Sequence, residues 1–577
     1  MRSLVQSSDN ETESTCDVSS SSGWLFLVAA FFAVLCACLT YDEVRFPASV
    51  PLKSTDVATV PLFNVWTIGW NADRARHGFQ GYWDASIFFP AENAFAFSEP
   101  QPATLLVAPV VWVTGSAVAG YKAWLFLSLL LNGFFTSLLL RRLGYRWFLQ
   151  LAGGTAITLL PIIQQRIDVV QLVPVWGILW FWSSLFELAE KPGTRTSIET
   201  GFSFAMCFAL CVHHALFLSL LIPIAGLVFL PRLTDRRFLA ATLTAISIST
   251  IVALPIILPL RAAAQANDFS RKERAVLSKS AKPAHYLASQ SNALIQFDQF
   301  ENSKNRRFNP GWFRMVLAAV GLSCGLLWGR RRRWLLFLLL IGSFAMAFSL
   351  GLNLDIFGWK PWQTLSDSLP GVGQVRSVFR FVWFVQMAIV LLAIEGLAAL
   401  HTICQRRFAV LFRKTALVCL VVVPAALVAG EVWPEPAQRG GVPDVTSHKG
   451  WIQFVRDNAT SERPIACLPF AGSNSVRDFD MTTRWMCYGL EHGVPMVNGY
   501  SGFFPKRYME LRNFVSDEFP SAQVIDRFAS ERIEHVVVAR KYCGPNVMLG
   551  LSTEKHRLVL VYEDHVGIDV YRLESRK

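Results

Sequence analysis

Charge is what this sequence has least of. Only 17% of its 577 residues are Asp, Glu, Lys or Arg, against about 25% in soluble domains. Hydrophobic residues make up 53% and the mean hydropathy is +0.36, which excludes an ordinary soluble protein. Acid is scarcer than base, 42 residues against 54, for a net charge of +12. That excess does not indicate nucleic acid. The arginines sit at the ends of apolar runs, where orientation in a membrane accounts for them. No CxxC pair or Cys/His cluster has zinc spacing. GxSxG, Walker A, HExxH and dinucleotide-binding fingerprints are all missing. The chemistries built on those motifs are thereby set aside. No internal repeat and no clear mid-bilayer charge is seen, and transporters usually show both. No basic region precedes the first apolar run, so residues 1–22 do not read as a signal peptide. Most of the 11 cysteines lie inside apolar runs, where they act as small hydrophobes. Cys467, Cys487 and Cys543 lie beyond them, and one disulfide among these three is left open.

What is present is a succession of apolar runs between Gly23 and Gly430. A bilayer crossing needs about 20 apolar residues. Spans are expected at 23–40, 120–140, 148–164, 169–188, 238–258, 315–328, 334–352, 378–400 and 415–429, with a tight hairpin of two short helices at 201–230 divided at His213-His214. Pro102–Val118 is short and broken by Pro109 and Gly115, and reads as re-entrant. With the N-terminus cytoplasmic and about eleven crossings, the short basic clusters Arg141/Arg142, Lys191/Arg195, Arg236/Arg237, Arg330–Arg333 and Arg406/Arg407 all fall inside. The acidic tail 1–22, expected to be disordered, resists that placement. The long loops 41–101 and 261–313 then fall outside, as does the region 431–577. That last region changes character. Strands are expected at Ile465–Leu468, His535–Ala539, Arg557–Tyr562 and Gly567–Leu573, with amphipathic helices at Lys449–Asp457 and Pro520–Ser530, giving a small α/β domain. The expected fold is a polytopic α-helical membrane protein with a C-terminal extracytoplasmic α/β domain.

The first outer loop is densest in chemistry. It carries Asp42-Glu43, Asp56, Trp66, Trp70, Trp83-Asp84 and Glu99. Carboxylates beside aromatics at a membrane surface suit sugar work: an aromatic face covers a pyranose and a carboxylate deprotonates a hydroxyl. Solvated carboxylates and interfacial anchors are the plainer alternative, and Thr55 or Asp56 also suits a helix cap. Arg166 and Asp168 lie between two spans at the outer face, either as an ion pair or with Arg166 on a lipid phosphate. His213 and His214 are adjacent and point to different helix faces, so both on one metal is disfavoured. Arg376 and Arg380, spaced i and i+4, would share a helix face as a phosphate clamp or anchor to headgroups. Glu395 lies near the cytoplasmic end of its span and reads as snorkelling. Val497-Asn498-Gly499-Tyr500-Ser501-Gly502 reads as a turn or an acceptor-shaping loop.

Three stretches in this order resemble the GT-C superfamily of polytopic membrane glycosyltransferases, and in particular a poorly characterised bacterial branch of it. The first is Asp56…Asn64-x-Trp66…Trp70…Trp83-Asp84-Ala85-x-Ile87-Phe88-Phe89-Pro90…Phe97-Ser98-Glu99. The second is Leu369-Pro370-Gly371…Val375-Arg376…Arg380-Phe381, and the third is Pro495-x-Val497-Asn498-Gly499-Tyr500-Ser501…Pro505…Tyr508. Related chains often carry a His before the Gln of the segment matching Arg166–Gln171, which this chain lacks. The resemblance implies a polyprenyl-phosphate-linked sugar donor, a glycan, lipid or protein acceptor, and transfer at the outer face of the bacterial inner membrane. It implies Asp56 as base, with Asp84 second, and leaves a divalent metal open, with no residue assigned to one. Arg376, Arg380 and Arg166 would hold the donor phosphate, with Trp66 and Trp70 as substrate-binding aromatics. The competing reading is a non-catalytic transporter or envelope assembly scaffold that keeps the same architecture.

Overall fold

The computed structural model describes residues 21–296, 306–328, 331–407, 421–460 and 462–574. Among them, eight helices are long and apolar enough to cross a membrane, running from Ser22–Leu39 to Val378–Gln405, and Pro102–Thr114 and Trp312–Leu327 are shorter apolar helices. The protein is multi-pass. The expected hairpin at 201–230 is two helices, Thr194–Leu210 and Val212–Ala225, and their break falls at Cys211 rather than at the His pair. Most of the expected span at 415–429 lies outside the described residues; helix Val423–Gly430 is its visible end. Helix Arg236–Ala266 has 31 residues, about 46 Å of rise. It therefore overshoots a hydrocarbon core of about 30 Å and carries the chain into the second outer segment.

Helix Ala117–Arg142 fixes the two ends of the bundle. Near its start, Lys122 Nζ donates to the Glu43 and Phe46 carbonyls at 2.7 and 2.6 Å. At its far end, the Leu143 carbonyl accepts from Arg331 Nε at 2.7 Å. Arg331 lies over the Tyr145 ring at 4.0 Å, and Tyr145 Oη donates to Glu395 at 2.6 Å. Glu395 is thus a buried partner of Tyr145 and Arg331 and does not snorkel, because its carboxylate is satisfied internally. Helices Trp312–Trp328 and Val382–Arg407 cross with their backbones touching. A Cβ on Gly321 would lie 2.2 Å from the Leu392 carbonyl oxygen, and one on Gly396 would lie 2.3 Å from that of Leu317. Only glycine permits that approach.

The first outer segment is not a loop throughout. It contains helix Thr59–Arg76, buried on every side from Thr59 to Ala72 apart from Val60. An all-round buried helix shows no apolar stripe, and its internal Asn64 and Asn71 disguise it further. Both are satisfied: Gln101 Nε2 donates to Asn64 at 3.0 Å, and Asn71 Nδ2 donates to the Pro100 carbonyl at 2.8 Å. No side chain caps this helix through Thr55 or Asp56. Instead, Asp480 accepts from Ala58 N at 3.1 Å.

That bond belongs to a seam joining the first outer segment to the C-terminal region. Strand β1 (Ser49–Leu52) pairs antiparallel with β2 (Gln438–Gly441). Met496 N donates to the Ser86 carbonyl and Phe88 N to that of Asn498, each at 3.1 Å. The C-terminal sheet has order β3-β4-β6-β5, with β3 (Ile465–Leu468) parallel to β4 (His535–Ala539), and β5 (Leu558–Glu563) and β6 (Ile568–Leu573) completing it antiparallel. Asn498 extends this sheet sideways: its amide exchanges bonds of 2.7 and 2.8 Å with Cys467 N and O. A Cβ on Gly499 would lie 2.6 Å from the Phe88 ring, so the Asn498-Gly499 turn is a joint between segments. Cys467, Cys487 and Cys543 are free thiols. Gly321→Val should drive a side chain into the Leu392 backbone and cost about 1–3 kcal/mol, read as a lowered unfolding midpoint in detergent.

Candidate functional site

Three chain segments bring positive charge together at one end of the bundle. Arg166 follows the short helix Pro161–Gln165. Arg271, Lys279 and Arg306 come from the second outer segment, and Arg376 and Arg380 lead into helix Val382–Arg407. The anchors are aromatic rings and backbone carbonyls. The guanidinium carbons of Arg166 and Arg306 each stand 5.6 Å from the centroid of the Phe379 ring. Phe308 stacks on that ring at 5.6 Å and 9°. Phe379 N donates to the Lys279 carbonyl at 3.0 Å, and Arg306 Nη1 donates to that of Ser280 at 2.9 Å. Arg271 lies over the Phe503 ring at 3.6 Å, donates to the Gly502 carbonyl at 2.6 Å and reaches the Gln374 carbonyl at 3.3 Å. The C-terminal joint therefore closes onto the second outer segment at this point.

Among the described residues, none of these six cations forms an ion pair with a carboxylate. They act on one another instead. Burial, with Arg376 and Arg380 nearby, brings the Arg271 guanidinium down to about 10. Burial and repulsion from Arg306, Arg376, Arg166 and Arg380 push the Lys279 ammonium down to about 8. Burial also lowers Arg166, with Asp168 opposing and Arg380 and Arg306 adding to the shift. The Nε groups of Arg166 and Arg380 are buried and have no hydrogen-bond partner. Lys279 and Arg376 are exposed and the other four cations are partly buried; mutually repelling cations at a partly buried site are costly and favour an anion. Planar guanidiniums are suited to phosphate oxygens.

Asp168 is fully buried and is no ion-pair partner of Arg166. Its Oδ2 accepts from Lys53 N at 3.1 Å and from Ser54 N and Oγ at 2.7 Å each. It pins the loop carrying Asp56 beside the link carrying Arg166. Asp56 is exposed, pairs with Arg477, and lines an open cavity of about 540 Å³ with Lys53, Glu435 and Gln438. Asp84 is exposed and accepts from Asn93 N at 2.8 Å, which holds a turn. Trp66 and Trp70 are 2% and 6% exposed. They stack at 6.1 Å in the core, and Trp70 Nε1 donates to the Tyr82 carbonyl at 3.0 Å. They shape the segment from within and present no open face. Arg376 and Arg380 do not share a helix: Arg376 is on extended chain and Arg380 on the 3₁₀ turn Val378–Phe381. They still join one cluster, because both lie within electrostatic reach of Arg271 and Lys279. The two histidines diverge as expected. His213 meets Glu99, while His214 is 1% exposed beside Trp383.

Arg271, Lys279 and Arg306 are the site residues the sequence reading did not single out. A signal was available. Arg271, Lys272, Arg274, Lys279 and Lys282 crowd the start of a segment on the side that the arginine clusters assign to the exterior. Positive charge on that side runs against the usual bias and points to an anion.

These cations gather at one end of a bundle of membrane-length helices, and the small α/β region reaches them through Phe503 and Arg271. The chain belongs to the family described as "Domain of unknown function (DUF6311)", whose model matches residues 66–423, more than half of its length. Among solved structures it is similar to the arabinofuranosyltransferase AftD from Mycobacteria, at 14% identity and TM-score 0.58 over 96% of this chain and 40% of that one. A mutant form of AftD matches at 13% identity and TM-score 0.54, over 96% of this chain and 42% of that one. The chain thus spans about two fifths of AftD's length. ArnT from Cupriavidus metallidurans, solved with undecaprenyl phosphate, matches at 10% identity over 96% of this chain and 98% of that one. Its TM-score of 0.45 is too low to bear on this site. No curated protein matches the chain.

Above neutral pH a phosphate monoester is mostly dianionic, while Lys279 loses its proton near pH 8. Affinity for a short-chain isoprenyl phosphate should therefore fall as pH rises from 7 to 9. Lys279→Met should bind more weakly at pH 7 and flatten that dependence, as read by calorimetric titration in detergent.

Proposed function

We propose that the chain is an inverting membrane glycosyltransferase. It moves a hexosyl or pentosyl unit from a polyprenyl-phosphate-linked donor to a glycan, lipid or protein acceptor. The reaction takes place at the outer face of the bacterial inner membrane, with the N-terminus cytoplasmic. The observation that carries this reading is the set of cations without carboxylate partners at the bundle's outer end. The GT-C-like fold supports it, and so does the likeness to AftD, an arabinofuranosyltransferase, as an analogy of fold.

The donor phosphate would rest among Arg166, Arg271, Arg376, Arg380 and Lys279. Arg306 shares the Phe379 ring with Arg166. Asp56 would take the proton from an acceptor hydroxyl. The hydroxyl oxygen would then bond to the anomeric carbon as the bond from that carbon to the phosphate oxygen breaks. The leaving phosphate departs with the electron pair and needs no protonation, because surrounding cations stabilise its growing charge. Asp56 suits the base role for two reasons. Asp168 fixes its loop next to Arg166, and its pairing with Arg477 is exposed. An exposed pair contributes about 0–1 kcal/mol, so an acceptor hydroxyl can displace it.

Asp56→Asn should lower transfer from a polyprenyl-linked sugar by at least about 100-fold, measured in proteoliposomes, with unfolding unchanged. Full turnover in a folded Asp56→Asn protein would remove the base. Arg380→Met should instead weaken donor binding, visible as a raised KM. If Arg166→Met and Arg380→Met both leave KM and kcat unchanged, the phosphate assignment fails.

A further inference from the structure

At the edge of the cation array lies a second constellation that the transfer chemistry does not use. Glu99, Cys211 and His213 place a carboxylate oxygen, a sulfur and a ring nitrogen within 4.8 Å of one another. From this geometry we infer that the three residues bind a divalent transition metal of the zinc type, with one further coordination position left to a water or a phosphate oxygen.

The break between helices builds the site. On a continuous helix, residues two apart face away from each other. Cys211 is extended, with φ −157° and ψ 111°, so helical periodicity does not hold across the break from Cys211 into helix Val212–Ala225. The interruption therefore turns the Cys211 sulfur and the His213 ring toward the same side, where the first outer segment delivers Glu99. Nδ1 of His213 contacts Oε1 of Glu99, while Oε2 is buried and has no hydrogen-bond partner. Cys211 is a free thiol, 1% exposed, and Glu99 is 9% exposed. Mixed sulfur, nitrogen and oxygen donors select zinc and its neighbours over magnesium or calcium. In a tetrahedral zinc site the donor atoms stand about 3.5 Å apart, so the Glu99–His213 contact would open and the widest separation in the set would shorten by about an ångström. Three protein ligands and one open position is the pattern of reactive rather than structural zinc.

The charges fit as well. His213 is within electrostatic reach of Arg380, Arg271 and Arg376, an environment that repels a bare cation. A doubly charged metal bound by one carboxylate and one thiolate is neutral overall, so the surrounding arginines do not oppose the completed site. This inference deepens the transferase reading by adding a phosphate-facing metal, yet metal binding can be read without any donor.

The test is metal content of the full-length protein in detergent, equilibrated with zinc, desalted and measured by mass spectrometry. Wild type should retain stoichiometric zinc. Glu99→Gln, Cys211→Ser and His213→Ala should each lower zinc affinity at least about tenfold. Cys207→Ser, one turn earlier and also buried, should bind as wild type does. Cobalt-loaded wild type should show a thiolate-to-cobalt charge-transfer band that Cys211→Ser loses. A wild type without stoichiometric metal, or a Cys211→Ser protein with unchanged metal and band, overturns the site. Zinc-loaded protein that transfers no sugar would count against the transferase reading and leave the metal site standing.

Discussion

Positive side chains repel, and six of them stand together here, with rings and carbonyls holding Arg166, Arg271 and Arg306 where carboxylates would have neutralised them. Arg271 is fixed by the Phe503 ring and the Gly502 carbonyl. Arg306 is fixed by the Ser280 carbonyl and shares the Phe379 ring with Arg166. Such anchors set position without cancelling charge, so the recess keeps its attraction for an anion. An ion pair would give comparable positioning and quench the field. Everything proposed for the outer face depends on that distinction.

The scaffold has to resist this repulsion, and it does so from both sides. Below, the bundle is locked by glycine-permitted contact between helices Trp312–Trp328 and Val382–Arg407, and by the buried Glu395–Tyr145–Arg331 group at the far end. Above, the first outer segment and the C-terminal region form one body. The β1–β2 pair, the bond from Ala58 N to Asp480 and the exchange between Met496 and Ser86 cross that seam. Phe503 then reaches from the seam to Arg271, so the roof and the charged recess are mechanically connected. The expected boundary at residue 431 marks a change of composition more than a separation in space.

The periodic and compositional features were legible. The strands at Ile465–Leu468 and His535–Ala539 were expected at the residues where they occur, because buried runs rich in Val and Ile have few alternatives. Apolar runs announced the spans for the same reason. A helix after Thr55 and Asp56 was anticipated by their capping character, but the all-round burial of Thr59–Arg76 and its cap by Asp480 were not legible, since both come from packing against distant segments. Of the site, the sequence singled out Arg166, Arg376 and Arg380 because charge at a span end is conspicuous. It did not single out Arg271, Lys279 or Arg306, which sit in a polar segment where charge is ordinary. It also gave Trp66 and Trp70 a surface role that packing denies them.

The sequence alone determined a multi-pass membrane protein with a small α/β region after its last apolar run. Transfer free energy is additive along the chain and needs no knowledge of contacts. Only the tertiary structure decided which charges share a recess, which carboxylate is buried against a histidine, and which pins a loop. Those outcomes depend on distances between segments more than a hundred residues apart, as between Asp168 and Ser54 or Glu99 and His213. Local pattern cannot encode such separations, because they arise only when the seam and the bundle close together.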